Sequence, residues 1–387
     1  MKKIMNGYPV ALMLFFTIIA LNNQCNDVPT IALQDLMQKN LGIHYQLCDD
    51  QHHFNFEPFT ISPWPHLQPS QGILQETFIL TIPQGCTYSA SLKIPGLIVT
   101  DYGLVEELMW PSAQRFMRRH SNFTLNHLPE PTKIPGRLAV IAQEGKAYAH
   151  WMIETLGRLA LLEMHNIAYD YVYVSMDQRF KQETLQLWGI DLKKVIEPTN
   201  STKHVQADEL LVPSLVGRKY PPLNHEPLFC LYIQPWLLEF VRNKFLSVPM
   251  LQEINPSQFS KKVFISRKDT TLRRILNEDE IFALFADEGF ERYELSKMSF
   301  LEQVSLFNNA DTIVAFHGSG LTNIMFCKPQ TQIIEFFQSR GDCTFWYLSQ
   351  LLNLKHQCIK TIPFDLKNSM AHTSVPISIA KQVVNSL

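Results

Sequence analysis

Two stretches of this 387-residue chain carry side chains suited to acid–base or anion chemistry. In KAYAHWMIETLGRL, His150 and Glu154 are four residues apart, so on a helix they share a face. An imidazole beside a carboxylate can orient or share a proton, which a general base requires. Trp151 next to them could stack on a sugar or a base. The same spacing also fits an ordinary polar helix face with Trp151 in the core. In DTIVAFHGSGLTNIMFCKP, an apolar run stops at His317, and Gly318, Ser319 and Gly320 follow. Glycine loses the most backbone freedom on folding, so two of them here need a reason. Either the backbone comes close to a bound group, or the turn is merely tight. A helix opening after such glycines aims its unpaired N–H groups and positive dipole end outward, a seat for an anion such as a diphosphate.

Other residues seek anions too. The strand-like KVFIS runs into Arg267, then Lys268, Arg273 and Arg274 in SRKDTTLRRILNEDE. Arg267 would leave the same sheet edge as His317 and could pair with phosphate in a bidentate fashion. A solvated basic loop is the alternative. Glu335, near the end of QIIEFF, is placed to accept ribose hydroxyls or to face solvent. Other phosphate and nucleophile motifs fail. There is no GxxxxGK[ST], GxGxxN is not the dinucleotide fingerprint, and Gly318-Ser319-Gly320 is not GxSxG. No metal site is expected: no CxxC pair and no Asp-x-Asp occurs, and His44, Cys48, Asp49, Asp50, His52 and His53 fit no common ligand spacing. No cofactor is implied either.

These residues need elements to hold them. From Asn26 to about Pro95 the chain is rich in Pro, Gln and aromatics, which predicts irregular structure with a few strands. From Leu138 strands and helices alternate: LAVIAQ, a helix over 147–165, YVYVS, a helix over 178–188, VIEP and ELLVP. Tyr220-Pro221-Pro222 marks a break, and a connecting helix follows from Phe229 to Leu246. The alternation resumes with KVFIS, a helix over 277–287 capped by Asn277, FERYEL, a helix opened by the Ser299/Glu302 capping box, TIVAF, a helix from about Gly320, QIIEFF, a helix from about Cys343, and HQCIK. Strands alternating with short helices predict an α/β fold with parallel sheets. Two such stretches predict two Rossmann-like domains facing a cleft. The expected divisions are 26–228, a connecting 229–260, and 261–387.

Composition bounds the partners. Lys+Arg 34 against Asp+Glu 36 leaves a net charge of −2, with no basic footprint for nucleic acid. Lys2 and Lys3 precede an apolar run from Val10 to Leu21, which reads as a signal peptide or as a membrane anchor within residues 1–25. Seven scattered cysteines leave one over in any pairing. Asn122-Phe-Thr124 and Asn200-Ser-Thr202 fit the glycosylation acceptor pattern.

Taken in order, ISRKDTTLRRILNEDEI, KMSFLEQVSLFNNADTIVAFHGSGLTNIMF and QIIEFF resemble the C-terminal half of glycosyltransferase family 61. The likeness runs from about Leu138 to Ile359. The family's strand ending in Ser-Arg falls on Ser266 and Arg267. Its Arg-Arg-Ile-x-Asn-Glu run includes Arg273, and its His-Gly-x-Gly-Leu-Thr-Asn falls on His317, Gly318, Ser319, Gly320, Leu321, Thr322 and Asn323. Its His-x-x-x-Asp/Glu falls on His150 and Glu154, with Glu where many members have Asp. The resemblance implies a GT-B fold and an inverting, metal-independent transfer from a nucleotide sugar, UDP-linked, to a glycan or protein hydroxyl. A non-catalytic exported binding protein with a decayed site is the competing reading.

Overall fold

A computed structural model describes residues 29–39, 41–50, 52–55, 71–91, 94–109, 128–142, 146–216, 231–337, 343–361 and 371–387. The N-terminal signal or anchor segment, the Asn122 tripeptide and the Tyr220-Pro221-Pro222 break lie outside them. No helix among the described residues is long and apolar enough to cross a membrane. Among those residues Cys48, Cys86, Cys327, Cys343 and Cys358 are free thiols. Asn200 stands on an exposed turn.

The C-terminal sheet is wholly parallel and built from Lys262–Ile265, Glu291–Tyr293, Thr312–Phe316, Gln332–Phe337 and Lys355–Lys360. Numbered along the chain, its spatial order is 2-1-3-4-5. The order therefore reverses between the 262–265 and 312–316 strands, where an open parallel sheet leaves its crevice. Alternate strand residues face opposite ways. Phe264, Val314, Phe316, Ile334 and Phe336 pack with Ile281, Phe285, Ala380 and Val383 from the helices Glu278–Ala286 and Ile377–Val384. Val263, Ile265, Ile313, Ala315 and Ile333 pack on the other face with residues of Phe300–Asn309 and Thr344–Leu351. Burial on both faces explains why these strands read as continuous apolar runs.

The predicted capping box is present: Glu302 N–H donates to Ser299 Oγ at 3.2 Å, and Ser299 N–H donates to Glu302 Oε2 at 2.6 Å. Asn277 does occupy the cap position of its helix, but its side chain makes no cap bond. The amide instead exchanges two hydrogen bonds with the Val375 backbone.

The N-terminal sheet is mixed. Its parallel part runs in the order Val195–Ile196, Tyr171–Tyr173, Thr132–Val140, His204–Pro213. The far edge of His204–Pro213 pairs antiparallel with both Thr77–Pro83 and Cys86–Tyr88. The stretch before Pro95, with the strands Leu97–Thr100 and Gly103–Val105, thus supplies a largely antiparallel flank, ending outward in His44–Asp49 on one path and in Thr30–Ile31, paired parallel with Gly103–Val105, on the other. One apolar cluster joins the two sheets. It takes in Leu161 from the first half, Phe245 of the helix Pro235–Leu246, and Phe300 and Phe326 from the second half. Phe245 and Phe300 meet edge to face at 4.8 Å between centroids.

Candidate active site

At the strand-order reversal Ile265 lies level with Ala315, so Ser266-Arg267 and His317 leave the same sheet edge as expected. Glu278 fixes the first of these turns. Buried at the start of its helix, it accepts the Ser266 hydroxyl at 2.5 Å and the Arg267 N–H at 2.8 Å. The helix dipole favours a carboxylate in that position. The sequence signal for Glu278 was only its place as the first acidic residue of the NEDE run.

The Arg267 side chain curls back over the turn. Its Nε donates to the Arg273 carbonyl at 3.2 Å and Nη2 to the Leu272 carbonyl at 3.0 Å. Arg273 is held at φ +54°, a conformation that costs a non-glycine residue about 1–2 kcal/mol. Nη1 presses against Gly318, where any Cβ would collide with the guanidinium. Gly318 has extended backbone, so its glycine is required for space, not for torsion. Gly320 answers to packing, since a Cβ there would come within 2.8 Å of Leu295. Burial, together with the neighbouring Arg273 charge, pulls the Arg267 guanidinium down to about 10, still a cation at neutral pH.

The helix beyond the glycines is a 3-10 helix, Ser319–Phe326. Ser319 and Gly320 are half-exposed, whereas Leu321, Thr322 and Asn323 point inward. Asn323 spans the two halves: Tyr148 OH donates to its Oδ1 at 2.6 Å, and its Nδ2 donates to Gln303 Oε1 at 2.8 Å. Burial pushes the Tyr148 phenol up, against the opposing pull of the Asn323 bond, so it stays a neutral donor.

Glu335 corrects the sequence reading. Its carboxylate is wholly buried, with Oε1 2.5 Å from His317 Nδ1 and Oε2 3.1 Å from His356 Nε2. Both oxygens are spent on imidazoles, so Glu335 holds His317 in place and does not present itself to a ribose. Burial alone would raise this carboxyl, but His317 and then His356 outweigh it and hold it below its usual range. The His317 ring stacks on Phe337 at 5.1 Å.

On the other sheet, His150 and Glu154 do meet, Nδ1 to Oε2 at 2.9 Å. The helix that carries them is not regular. Tyr148–His150 is α, Trp151–Thr155 is a π-helical turn, and Leu156–Met164 resumes α. Single π turns inside α-helices recur at functional sites. The side chain of His150 keeps 21% of its exposure while that of Glu154 keeps none, so only the imidazole can meet a substrate. Trp151 is core: it is buried, and Nε1 donates to Thr184 Oγ1 at 2.8 Å.

Arg158, four residues after Glu154, escaped the sequence reading. Its buried guanidinium donates to the Pro213 carbonyl from Nε and Nη2 and to the Ala142 carbonyl from Nη1. Burial pulls it down to about 9, against the pull of the Glu154 charge. It ties the carboxyl ends of the two central strands to the helix beneath His150. Arg158→Met should therefore lower stability by about 3–5 kcal/mol, because the buried Pro213 and Ala142 carbonyls lose these donors at about 1–3 kcal/mol each. Urea unfolding measures it, and a change below 1 kcal/mol would be inconsistent with this bracing.

Residues 148–334 match the family model described as Glycosyltransferase 61. These residues form a glycosyltransferase 61 domain. It opens at Tyr148, two residues before His150, and closes one residue short of Glu335, so its bounds enclose both clusters save that carboxylate and its imidazole partner His356. The chain is also similar to EGF domain-specific O-linked N-acetylglucosamine transferases. Identity is 28% over 105 residues for the Drosophila melanogaster protein, covering 26% of this chain and 20% of the relative. It is 27% over 106 residues for Mus musculus, with 26% and 20% covered. For Xenopus laevis it is 30% over 100 residues, with 24% and 19% covered. The matched stretch spans about a fifth of the length of these curated relatives.

Proposed function

We propose that this protein is an inverting glycosyltransferase that moves a sugar from a nucleotide-sugar donor, UDP-linked, to a hydroxyl of a glycan or protein. The observation that carries the reading is the pairing of two unlike clusters across one hydrogen bond. His150 with Glu154 lies on the N-terminal side, Arg267 with the His317–Gly320 turn lies at the reversal of the C-terminal sheet, and Tyr148–Asn323 joins them. The domain reading is a GT-B arrangement, with acceptor activation from 26–228, a connecting 229–260, and donor binding from 261–387. The apolar segment through Leu21 serves export or anchoring.

The geometry supports the following residue roles. The carboxylate of Glu154 accepts Nδ1–H of His150, which leaves Nε2 as the proton acceptor for the incoming hydroxyl. As that proton moves to Nε2, the acceptor oxygen forms its bond to the anomeric carbon. The bond to the diphosphate oxygen breaks on the opposite face. The departing charge is met by Arg267, by the backbone at Gly318, Ser319 and Gly320, and by His317, with Arg273 shaping the Arg267 loop. Ser266 and Glu335 position these groups. Leu321, Thr322 and Asn323 seat the turn from within.

A panel of nucleotide sugars, scored for transfer and hydrolysis with N-acetylglucosamine donors first, tests the activity. The choice of first donor follows the names of the similar proteins. With no Asp-x-Asp clamp in the chain, transfer should persist in excess chelator. Full loss restored by Mg²⁺ or Mn²⁺ would overturn the cation-free seat. No turnover of any donor by folded protein would favour a binding protein instead.

A further inference from the structure

We propose that Glu335, His356 and Cys358 form a buried binding site for a zinc-class divalent cation, which takes no direct part in sugar transfer and touches the diphosphate seat only through the Glu335–His317 contact. The sheet register builds it. Glu335 and Cys358 are direct partners on neighbouring parallel strands, and His356, two residues before Cys358, falls on the same face. That face is otherwise the apolar side covered by Thr344–Leu351, so three ligand-type groups in one place are unusual. The side chains of Glu335 and His356 are fully buried.

The three ligand atoms lie within 4.8 Å of one another. Tetrahedral zinc, with bonds of about 2.0–2.1 Å to N and O and about 2.3 Å to S, sets ligand atoms roughly 3.3 Å (N to O) and 3.5 Å (S to O) apart. Here His356 Nε2 is 3.1 Å and Cys358 Sγ 3.9 Å from Glu335 Oε2. Small side-chain adjustments would close the set around an ion. An outer partner is present as well: Ser349 Oγ lies 2.8 Å from His356 Nδ1, the kind of hydrogen bond that fixes a ligating imidazole. Thiolate, imidazole and carboxylate together suit Zn²⁺ and not Mg²⁺ or Ca²⁺. Three protein ligands leave the fourth position to water.

The proton balance is defined. Without metal, His356 donates Nε2–H to Glu335 and accepts the Ser349 hydroxyl at Nδ1. On binding, the imidazole stays neutral with its proton on Nδ1, and the Ser349 hydroxyl turns to accept it. The Cys358 S–H bond breaks, a sulfur–metal bond forms, and one proton leaves to solvent. Glu335 remains a carboxylate, with Oε1 still on His317.

Cobalt(II) is the probe, titrated into the full chain after dialysis against chelator and without any donor or acceptor present. The expected result is one equivalent bound, a sulfur-to-cobalt charge-transfer absorption, displacement by Zn²⁺, and one proton released per metal by calorimetry in two buffers. Cys358→Ser should remove the charge-transfer band, and His356→Gln should weaken binding by at least tenfold, both checked for fold by circular dichroism. Folded wild-type protein that takes up no cobalt above background would overturn the site, as would a band that survives in Cys358→Ser. Because no substrate enters the assay, its outcome is independent of the transferase reading. In the chelator assay, rescue by Zn²⁺ alone would point to this trio and not to the diphosphate seat.

Discussion

Replacing His150 with alanine should lower turnover by about 10²–10⁴-fold, the usual worth of a positioned general base. The imidazole is the only member of its pair with exposed surface, and Glu154 sits wholly buried behind it. Glu154→Gln keeps the shape and removes the charge that steadies His150 as it takes up a proton. Its effect should be a smaller loss of turnover, with the pH–rate profile displaced, because the amide cannot stabilise the imidazolium. Donor affinity should stay near wild type in both variants, since the proposed donor contacts lie on the other sheet. Measured kcat and donor Kd separate the outcomes. If Glu154→Gln loses as much as His150→Ala while the imidazole still titrates normally, the carboxylate is the base and the assignment here is reversed. If both remain active, the pair is structural.

Arg267→Ala should weaken donor binding and transfer together by roughly 10–150-fold, the loss of one charge-assisted contact worth about 1.5–3 kcal/mol. Gly318→Ala should mimic it without touching the charge. The added Cβ occupies the space of the guanidinium and must push Arg267 away from the Arg273 and Leu272 carbonyls. Gly320→Ala meets only the tip of a leucine and should be milder. The order of donor affinities, wild type above Gly320→Ala above Gly318→Ala, is read by calorimetry with a nucleoside diphosphate. Unchanged affinity in folded Arg267→Ala would remove the arginine from the seat.

Much of this was legible from sequence because it was local. The Ser299/Glu302 box is a four-residue pattern, and the apolar runs KVFIS, TIVAF and QIIEFF carry the burial of both sheet faces in their composition. That Arg267 and His317 share an edge followed from each being the second or first residue after a parallel strand. What stayed hidden depends on partners far along the chain. Glu335 looked like a residue near a strand end, and only the neighbouring strand brings His356 against it. Arg158 reads as one more charge on an amphipathic helix until the Pro213 and Ala142 carbonyls arrive. The π turn at Trp151–Thr155 leaves no mark on apolar spacing over five residues. The antiparallel flank of the first sheet was read as mainly irregular because its strands are short and pair with His204–Pro213, more than a hundred residues on.

The Tyr148–Asn323 bond also has a mechanical meaning. Asn323 shares its 3-10 helix with Phe326, which packs with Phe245 and Phe300, so the two sheets meet over a packed seam and not across a free hinge. Swinging them apart would draw the half-buried Tyr148 phenol off its acceptor and part Phe245 from Phe300 and Phe326. On the proposed function, the distance from His150 to the turn at Gly318 would then be set when the chain folds, before any sugar arrives. An enzyme built this way spends little of its binding energy on closing around the donor, and its acceptor must fit a gap of fixed width.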